Sequence, residues 1–189
     1  MRRIIAAAGL LILLASAGQA QAPSPDLKSG AKQTPAAAPK GAPDKTTDAF
    51  GDWSVVCITQ AAGEKVCEVD AALTIRGQTS PVAQISFVRA ARDQPMRLVA
   101  LVPVNVAIKG GVRIQTADKT LFTLPFTTCV QAACIAEIEL TKEQVAHFHG
   151  QSQPGQIILD DPSGKPAALQ VSFKGLDQAL DSFLKRQEK

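Results

Sequence analysis

The sequence predicts a mainly β protein, an antiparallel β-sandwich-like domain with a short internal helix and a C-terminal amphipathic helix. Many short runs of β-branched and apolar residues are separated by Gly, Pro, Asp and Asn, which is typical of sandwiches and barrels. Two stretches show helical signals instead: a capping box near position 141 and an apolar stripe at helical spacing near position 180.

The chain begins with a predicted secretory signal peptide, residues 1–22. A basic head of two arginines precedes an apolar run over residues 4–17, and small residues of the Ala-x-Ala type follow. The apolar run is shorter than the roughly 20 residues that a membrane-spanning helix needs. We therefore expect export with cleavage near Ala20 or Ala22, and no transmembrane segment in the mature chain.

Residues 23–48 form a predicted disordered linker rich in Pro, Ala and Lys. Its only large apolar residue is Leu27, so it has too little apolar surface to offset the entropy of ordering. Residues 49–189 are long enough for one hydrophobic core. Without the two leader arginines, the 20 basic residues fall to 18, against 17 acidic ones. Because no basic run occurs either, we expect no nucleic-acid partner.

The predicted strands follow one another along the domain. The apolar run 98–108 contains Pro103 and Asn105, which predicts two short strands or a bulged edge strand rather than one central strand. Turns are predicted at 109–111, 118–120 and 160–165. The other strands are expected at 50–58, 66–73, 84–88, 112–115, 121–129, 135–140, 156–159 and 167–173.

Two helices are predicted, at 142–149 and 176–185. Thr141 and Gln144 have the capping-box arrangement at the start of the first helix, and Gly150 is expected to end it in a left-handed conformation. The second helix has one apolar stripe, which we expect to pack on the sheet. The stripe consists of Leu176, Ala179, Leu180, Phe183 and Leu184.

The four cysteines of an exported chain are predicted to form two disulfides. If residues 61–63 form a hairpin loop with a left-handed glycine, strand pairing places Cys57 opposite Cys67. If the pair that flanks the loop is hydrogen-bonded, alternation makes 57 and 67 a non-hydrogen-bonded pair, with Cα atoms about 4.5 Å apart, which suits a disulfide. Cys129 and Cys134 bracket a short turn and are expected to close a second hairpin.

Trp53 is the predicted core residue beside the first bridge, because strand parity places it on the same face as Val55 and Cys57. Other roles for the cysteines are less well supported. Neither spacing matches the C-x-x-C of redox proteins, and only the pair at 129 and 134 approaches the spacing of a zinc site.

The motif FGDWSVVC at 50–57, followed by a cysteine at 67, resembles the opening of the invasion-associated locus B family. The resemblance continues at 102–114, in FTTC before CIA around the second cysteine pair, and in VSFKGL at 171–176. Ala133 stands where the family often has Gly, which affects the expected turn type and not the bridge. The resemblance implies an exported β-rich protein of Gram-negative envelopes, whose founding members are linked with entry into host cells. It implies no catalytic mechanism.

Groups suited to catalysis or metal binding are few: two histidines, His147 and His149, and no tyrosine. On a helix, positions i and i+2 point about 200° apart, which disfavours chelation by both; we expect a partly exposed helix end with Phe148 buried. Asp160 and Asp161 precede Pro-Ser-Gly and are interpreted as turn residues. No G-x-S-x-G, H-E-x-x-H or phosphate-binding glycine loop occurs.

We therefore expect a non-catalytic, cofactor-free protein, periplasmic or secreted, that binds a protein or cell-envelope partner. The alternative is a structural or chaperone-like periplasmic component. A second alternative is an uncharacterised enzyme or metal-binding protein that uses His147 and His149. An exposed apolar patch favours the first two classes, and a deep polar cleft around His147 favours the last.

Overall fold

The computed structural model describes residues 45–187, except positions 62 and 76. The predicted signal peptide and positions 23–44 of the predicted linker lie outside the described residues. In chain order the elements are β1 Lys45–Phe50, β2 Trp53–Thr59, β3 Lys65–Leu73, β4 Ala83–Val88, β5 Met96–Val102, β6 Val112–Gln115, β7 Leu121–Leu124, β8 Phe126–Cys129, β9 Cys134–Leu140, α1 Lys142–His149, β10 Gly155–Asp160, β11 Pro166–Val171 and α2 Leu176–Gln187.

The strands form two antiparallel sheets, which confirms the predicted fold class. The larger sheet has seven strands in the order β1-β2-β3-β4-β5-β9-β8, and the smaller has four in the order β11-β10-β6-β7. Apolar side chains alternate along the strands, so one face of each sheet contributes to a single core. We call the opposite face of the larger sheet its outer face.

The two helices complete the core. The buried residues of the α2 stripe are Leu176, Ala179, Leu180 and Phe183, on the side of the helix that packs over β1, β2 and β3. α1 contributes the buried Phe148, whose ring lies 5.2 Å from that of Phe87, and Phe87 in turn lies 5.7 Å from Trp53. The amphipathic helix therefore docks on the sheet as its pattern predicts.

The start of α1 agrees with the prediction and its end does not. The Gln144 amide donates to Thr141 Oγ1 at 3.2 Å, and the Thr141 amide donates to Gln144 Oε1 at 2.8 Å, which is a complete capping box. Gly150 has φ −80°, so the left-handed end was a wrong prediction. Its amide donates to the Ala146 carbonyl at 3.1 Å, which continues the right-handed hydrogen-bond pattern. α2 extends to Gln187, two residues beyond the predicted end.

The β structure begins earlier than predicted. Lys45 to Asp48, which the sequence assigns to the linker, belong to β1 and pair antiparallel with β2. The strand is polar and almost wholly exposed, which suits an edge strand and explains why its composition resembles a linker.

Proline positions explain two further corrections. The run 98–108 contributes one interior strand, β5, between β4 and β9, so the prediction of two short strands or an edge was wrong. Pro103 follows the last residue of β5 and leaves the strand pairing intact. The single strand predicted over 121–129 is instead two strands in different sheets, separated by Pro125, which lacks the amide that a continuous strand requires.

The β1–β2 turn is tied to the segment that leads into α2. Trp53 Nε1 donates to the Ser172 carbonyl at 2.9 Å, and the Asp52 amide donates to the Lys174 carbonyl at 3.1 Å. Gly175 has φ +86°, and a Cβ at this position would overlap the Phe50 carbonyl oxygen. Only glycine allows this close approach without displacement of the backbone.

Candidate ligand-binding cleft

Both predicted disulfides are present. Cys57 pairs with Cys67 in the β2–β3 hairpin, in the predicted register, with Cα atoms 4.0 Å apart, and Gly63 in the loop has φ +84°. Cys129 and Cys134 close the β8–β9 hairpin, also with Cα atoms 4.0 Å apart. All four cysteines are therefore bridged, and none is available as a thiol.

Beyond the first bridge, the sheet leaves a corner open. β4 ends at Val88, opposite Glu68, so the first three residues of β3 extend past the end of their neighbour. The chain then turns toward the end of α2, where Arg89 Nε donates to Gln187 Oε1 and Gln187 Nε2 donates to the Arg89 carbonyl at 3.1 Å. The strand end, the β4–β5 connection and the helix end thus surround a concave space.

This space, which we call the cationic cleft, has a volume of about 740 Å³. No acidic residue of the described chain lines it. Cations come from all three surrounding segments, and several small side chains, including Ala90, Ala91 and Ser182, complete the wall. The cationic residues are Lys65, Arg89, Arg92, Lys185 and Arg186.

Only one of these five cations has an ion-pair partner among the described residues. Arg186 donates to the carboxylate of Asp48 in β1, and its Nε donates to Ser182 Oγ at 3.3 Å. Arg89 is half-buried, and burial, together with the nearby charge of Arg92, lowers the pKa of its guanidinium. The cleft therefore holds a concentration of positive charge that the described residues around it neutralise only at Arg186.

An apolar groove of about 390 Å³ adjoins the cleft on the outer face of the larger sheet. Its walls include Val56, Ile58, Val66 and Val88, and the side chains of Ile58 and Val66 are each 39% exposed. Val66, Cys67, Arg89 and Ala90 line both depressions. One corner of the molecule thus offers an apolar surface and a cationic surface side by side.

Two carboxylates lie on the outer face near the groove. Burial is the main cause that raises the pKa of Asp70, and burial together with the charge of Asp70 raises the pKa of Glu68. Gln84 Nε2 donates to Asp70 Oδ2 at 3.4 Å, whereas Asp70 Oδ1 is buried without a hydrogen-bond partner in the described protein. The surroundings therefore disfavour the charged form of both groups.

The histidines of α1 do not share a site. His149 Nε2 lies 3.0 Å from Asp181 Oδ1 and ties α1 to α2, and this contact lowers the pKa of Asp181. His147 Nε2 instead lies 3.1 Å from Thr116 Oγ1, at the β6–β7 turn. Across the described part of the chain, no group of three or more His, Cys, Asp or Glu side chains is placed to hold a metal ion.

The contact of His147 with Thr116 and Asp118 was not predicted and has the residue types of a catalytic triad. The geometry differs from one. The same atom, His147 Nε2, lies 3.1 Å from Thr116 Oγ1 and 3.6 Å from Asp118 Oδ2, whereas in a triad the carboxylate bonds the other ring nitrogen and so orients the base. The Thr116 hydroxyl donates to Asp118 Oδ1 at 2.6 Å, so the carboxylate contacts the threonine directly. Thr116 is also 2% exposed, and we interpret the group as a tie between α1 and the turn.

The two predicted turn aspartates have separate structural roles. Asp161 accepts from the amides of Ser163 at 2.9 Å and Lys165 at 3.0 Å, as a turn residue does. The prediction that Asp160 is a turn residue was wrong. Asp160 is the last residue of β10, and its carboxylate accepts two hydrogen bonds from Arg113, at 3.0 and 2.6 Å. These bonds lower the pKa of Asp160.

Sequence reasoning missed the cationic cleft. The only local signals are Arg89-x-x-Arg92 and the adjacent pair Lys185-Arg186, and both are too short to form a basic run. The convergence depends on where β4 ends and on how α2 docks, neither of which the sequence pattern reveals. Trp53, the predicted core residue, is 1% exposed.

The fold and the bridges define a class: a small, disulfide-bonded β-sandwich-like domain closed by a C-terminal helix, as found in extracytoplasmic proteins. A family model described as invasion associated locus B (IalB) protein matches residues 53–184. The chain belongs to this family. No described helix has the length and apolarity that crossing a bilayer requires.

Relatives and a solved structure agree with this assignment. Invasion protein B homologues from two Brucella abortus strains, 2308 and 9-941, are each 24% identical to this chain over 147 residues. The match covers 77% of this chain and 83% of each relative. The crystal structure of invasion associated protein B from Bartonella henselae has a TM-score of 0.64 and 26% identity. That match covers 76% of this chain and 99% of the Bartonella chain.

Proposed function

We propose that this chain is an exported, non-catalytic binding protein of a Gram-negative cell envelope, periplasmic or secreted, that holds its partner at the corner beside the Cys57–Cys67 bridge. The observation that carries the proposal is the junction of the cationic cleft and the apolar groove, which share four lining residues. Protein recognition surfaces combine apolar and charged contacts in this way.

The export part of the proposal rests on the N-terminal sequence and on the disulfides. The basic head, apolar run and small residues of positions 1–22 have the pattern of a signal peptide. Both bridges require an oxidising compartment to form and persist. The names of the relatives support a role in host-cell invasion where the bacterium is invasive.

A structural or chaperone-like role is the second candidate, and one observation favours it. The groove exposes Ile58 and Val66 side by side on neighbouring strands. Exposed apolar surface of this kind can bind partly unfolded chains. Suppression of aggregation of an unfolded exported protein, lost when Ile58 and Val66 are both replaced by Thr, would favour this candidate over a specific binding protein.

Site-directed photo-crosslinking in the native bacterium tests the main proposal. A benzophenone amino acid replaces Val66 or Arg92 at the corner, and Lys109 or Lys165 as a matched surface control. Neither control position lines the cleft or the groove. We expect one discrete crosslinked species from the corner positions and none from the controls. Crosslinks of equal yield at all four positions, or at none, would reject the corner as the binding site.

A further inference from the structure

We infer that the cationic cleft binds a compact ligand that carries at least two phosphate groups. This inference rests on the proposed function, since it names the ligand class for the same corner. The cleft volume of about 740 Å³ lies within the range of small-molecule sites.

The first argument is that cations converge on the cleft without counter-charges. Among the described arginines, Arg97, Arg113 and Arg186 each pair with a carboxylate, whereas Arg89 and Arg92 do not. Lys65 and Lys185, which like the other described lysines form no ion pair, reach the same cleft from two further segments. Like charges held together without counter-charges repel one another, so a bound anion stabilises this arrangement.

The second argument is the orientation of Arg89. Its Nε donates to Gln187, whose side-chain amide in turn donates to the Arg89 carbonyl and so holds the backbone in place. The two terminal nitrogens of the guanidinium make no hydrogen bond to the described protein. An arginine whose side chain is fixed at Nε and open at its terminal nitrogens is suited to bidentate contact with a phosphate.

The third argument is charge density, which favours phosphate over carboxylate. A phosphate monoester carries about −1.5 to −2 charges at neutral pH, whereas a carboxylate carries one. Two phosphates therefore carry enough negative charge to neutralise the four unpaired cations. The same space accommodates only a short piece of an acidic peptide, which carries one charge per carboxylate. Nucleic acid is the less favoured polyanion, because no aromatic side chain lines the cleft to stack on a base.

Calorimetric titration of the protein recovered from the periplasm with inositol hexakisphosphate tests the inference. The cleft variant combines Arg92→Gln with Lys185→Gln, both at exposed positions. The control variant combines Lys109→Gln with Lys165→Gln, which removes the same charge elsewhere. We expect an affinity loss of at least tenfold in the cleft variant and less than twofold in the control. Equal losses, or no binding at 0.15 M salt, would overturn the inference.

Further arms identify the source of the phosphates and the competing ligand class. Sedimentation with vesicles containing cardiolipin, whose headgroup carries two phosphates, would support a lipid headgroup if the cleft variant lost it. Binding of the soluble probe alone would support a soluble phosphorylated ligand. A 12-nucleotide single strand that binds more tightly than the probe through the same cations would reject the inference in favour of nucleic acid. If the probe fails while crosslinks at Val66 and Arg92 persist, the ligand class is wrong and the binding function stands.

Discussion

Cys57 and Cys67 lie directly opposite each other in the β2–β3 hairpin, and their Cα atoms are 4.0 Å apart. The bridge is buried on the core side, next to α2, and Arg186 Nη1 lies 3.9 Å from Cys57 Sγ. The bridge therefore fixes the strand end that forms one wall of the cationic cleft, in addition to closing the hairpin.

Removing this bridge should weaken the domain more than removing the second one. The bridges span separations of 10 and 5 residues, for which chain entropy gives about 2.7 and about 2.1 kcal/mol. Urea denaturation of Cys57→Ala/Cys67→Ala and of Cys129→Ala/Cys134→Ala measures the two losses. Core burial adds to the first loss, because Cys57 and Cys67 are both buried whereas Cys129 is exposed. Non-reducing peptide mapping is the check on pairing, and a peptide joining 57 to 129 would contradict it.

Gly175→Ala should destabilise the fold strongly. A left-handed backbone costs a residue with a Cβ about 1–2 kcal/mol, and here the Cβ also overlaps the Phe50 carbonyl oxygen. We expect a loss above about 2 kcal/mol. Gly164→Ala is the matched control, with φ +82° and open space around the added Cβ, and should cost only about 1 kcal/mol. Equal losses in thermal or urea unfolding would show that the close approach is unimportant.

Asp70→Asn should stabilise the protein at neutral pH and not at low pH. A carboxyl group whose pKa is raised in the folded state binds its proton more tightly there than in the unfolded chain. Its ionisation therefore destabilises the fold above the raised pKa, and the effect disappears below the ordinary value of 3.8. The gain in melting temperature should be present at pH 7 and vanish near pH 3.

Asp161→Asn provides the control of opposite sign. Hydrogen bonds from Ser163 and Lys165 lower the pKa of Asp161, so its charge stabilises the fold above pH 3.8 and the contribution is lost as the pH falls. This variant should be less stable than the wild type at pH 7 and similar to it near pH 3. The same sign of change in both variants would contradict the assigned causes.

Replacing both histidines with alanine should leave binding intact. The pair His149–Asp181 is exposed, and such pairs contribute about 0–1 kcal/mol. His147 contacts Thr116 at the β6–β7 turn, and neither histidine lines the cleft or the groove, so crosslinking at Val66 should be unchanged. Loss of crosslinking with normal circular dichroism and melting temperature would reject the binding-protein proposal and favour a metal or catalytic site.

The sequence predicted those features that depend on local patterns. One loop glycine predicted the hairpin register and with it the Cys57–Cys67 pair, and strand parity predicted the core position of Trp53. The capping box at Thr141 and the stripe of α2 are equally local. Each depends on residues no more than about a dozen positions apart.

The errors arose where a distant neighbour decides the outcome. Pro103 suggested an interrupted strand, but β5 ends one residue earlier and is held on both sides by β4 and β9. Lys45 to Asp48 have the composition of a linker, and they form a strand because they pair with β2. The cationic cleft is the extreme case, since Lys65 and Lys185 are 120 positions apart in the chain.

The tie between Trp53 and Ser172 has a consequence for biogenesis. The hydrogen bond from the indole, the amide bond from Asp52 to Lys174 and the ion pair of Asp48 with Arg186 all join the first two strands to the final segment. A nascent chain that lacks residues 172–187 leaves the Trp53 side of the sheet uncovered, because α2 packs there. The final segment is therefore required to complete the native core, and the core closes only when synthesis of the chain is nearly complete.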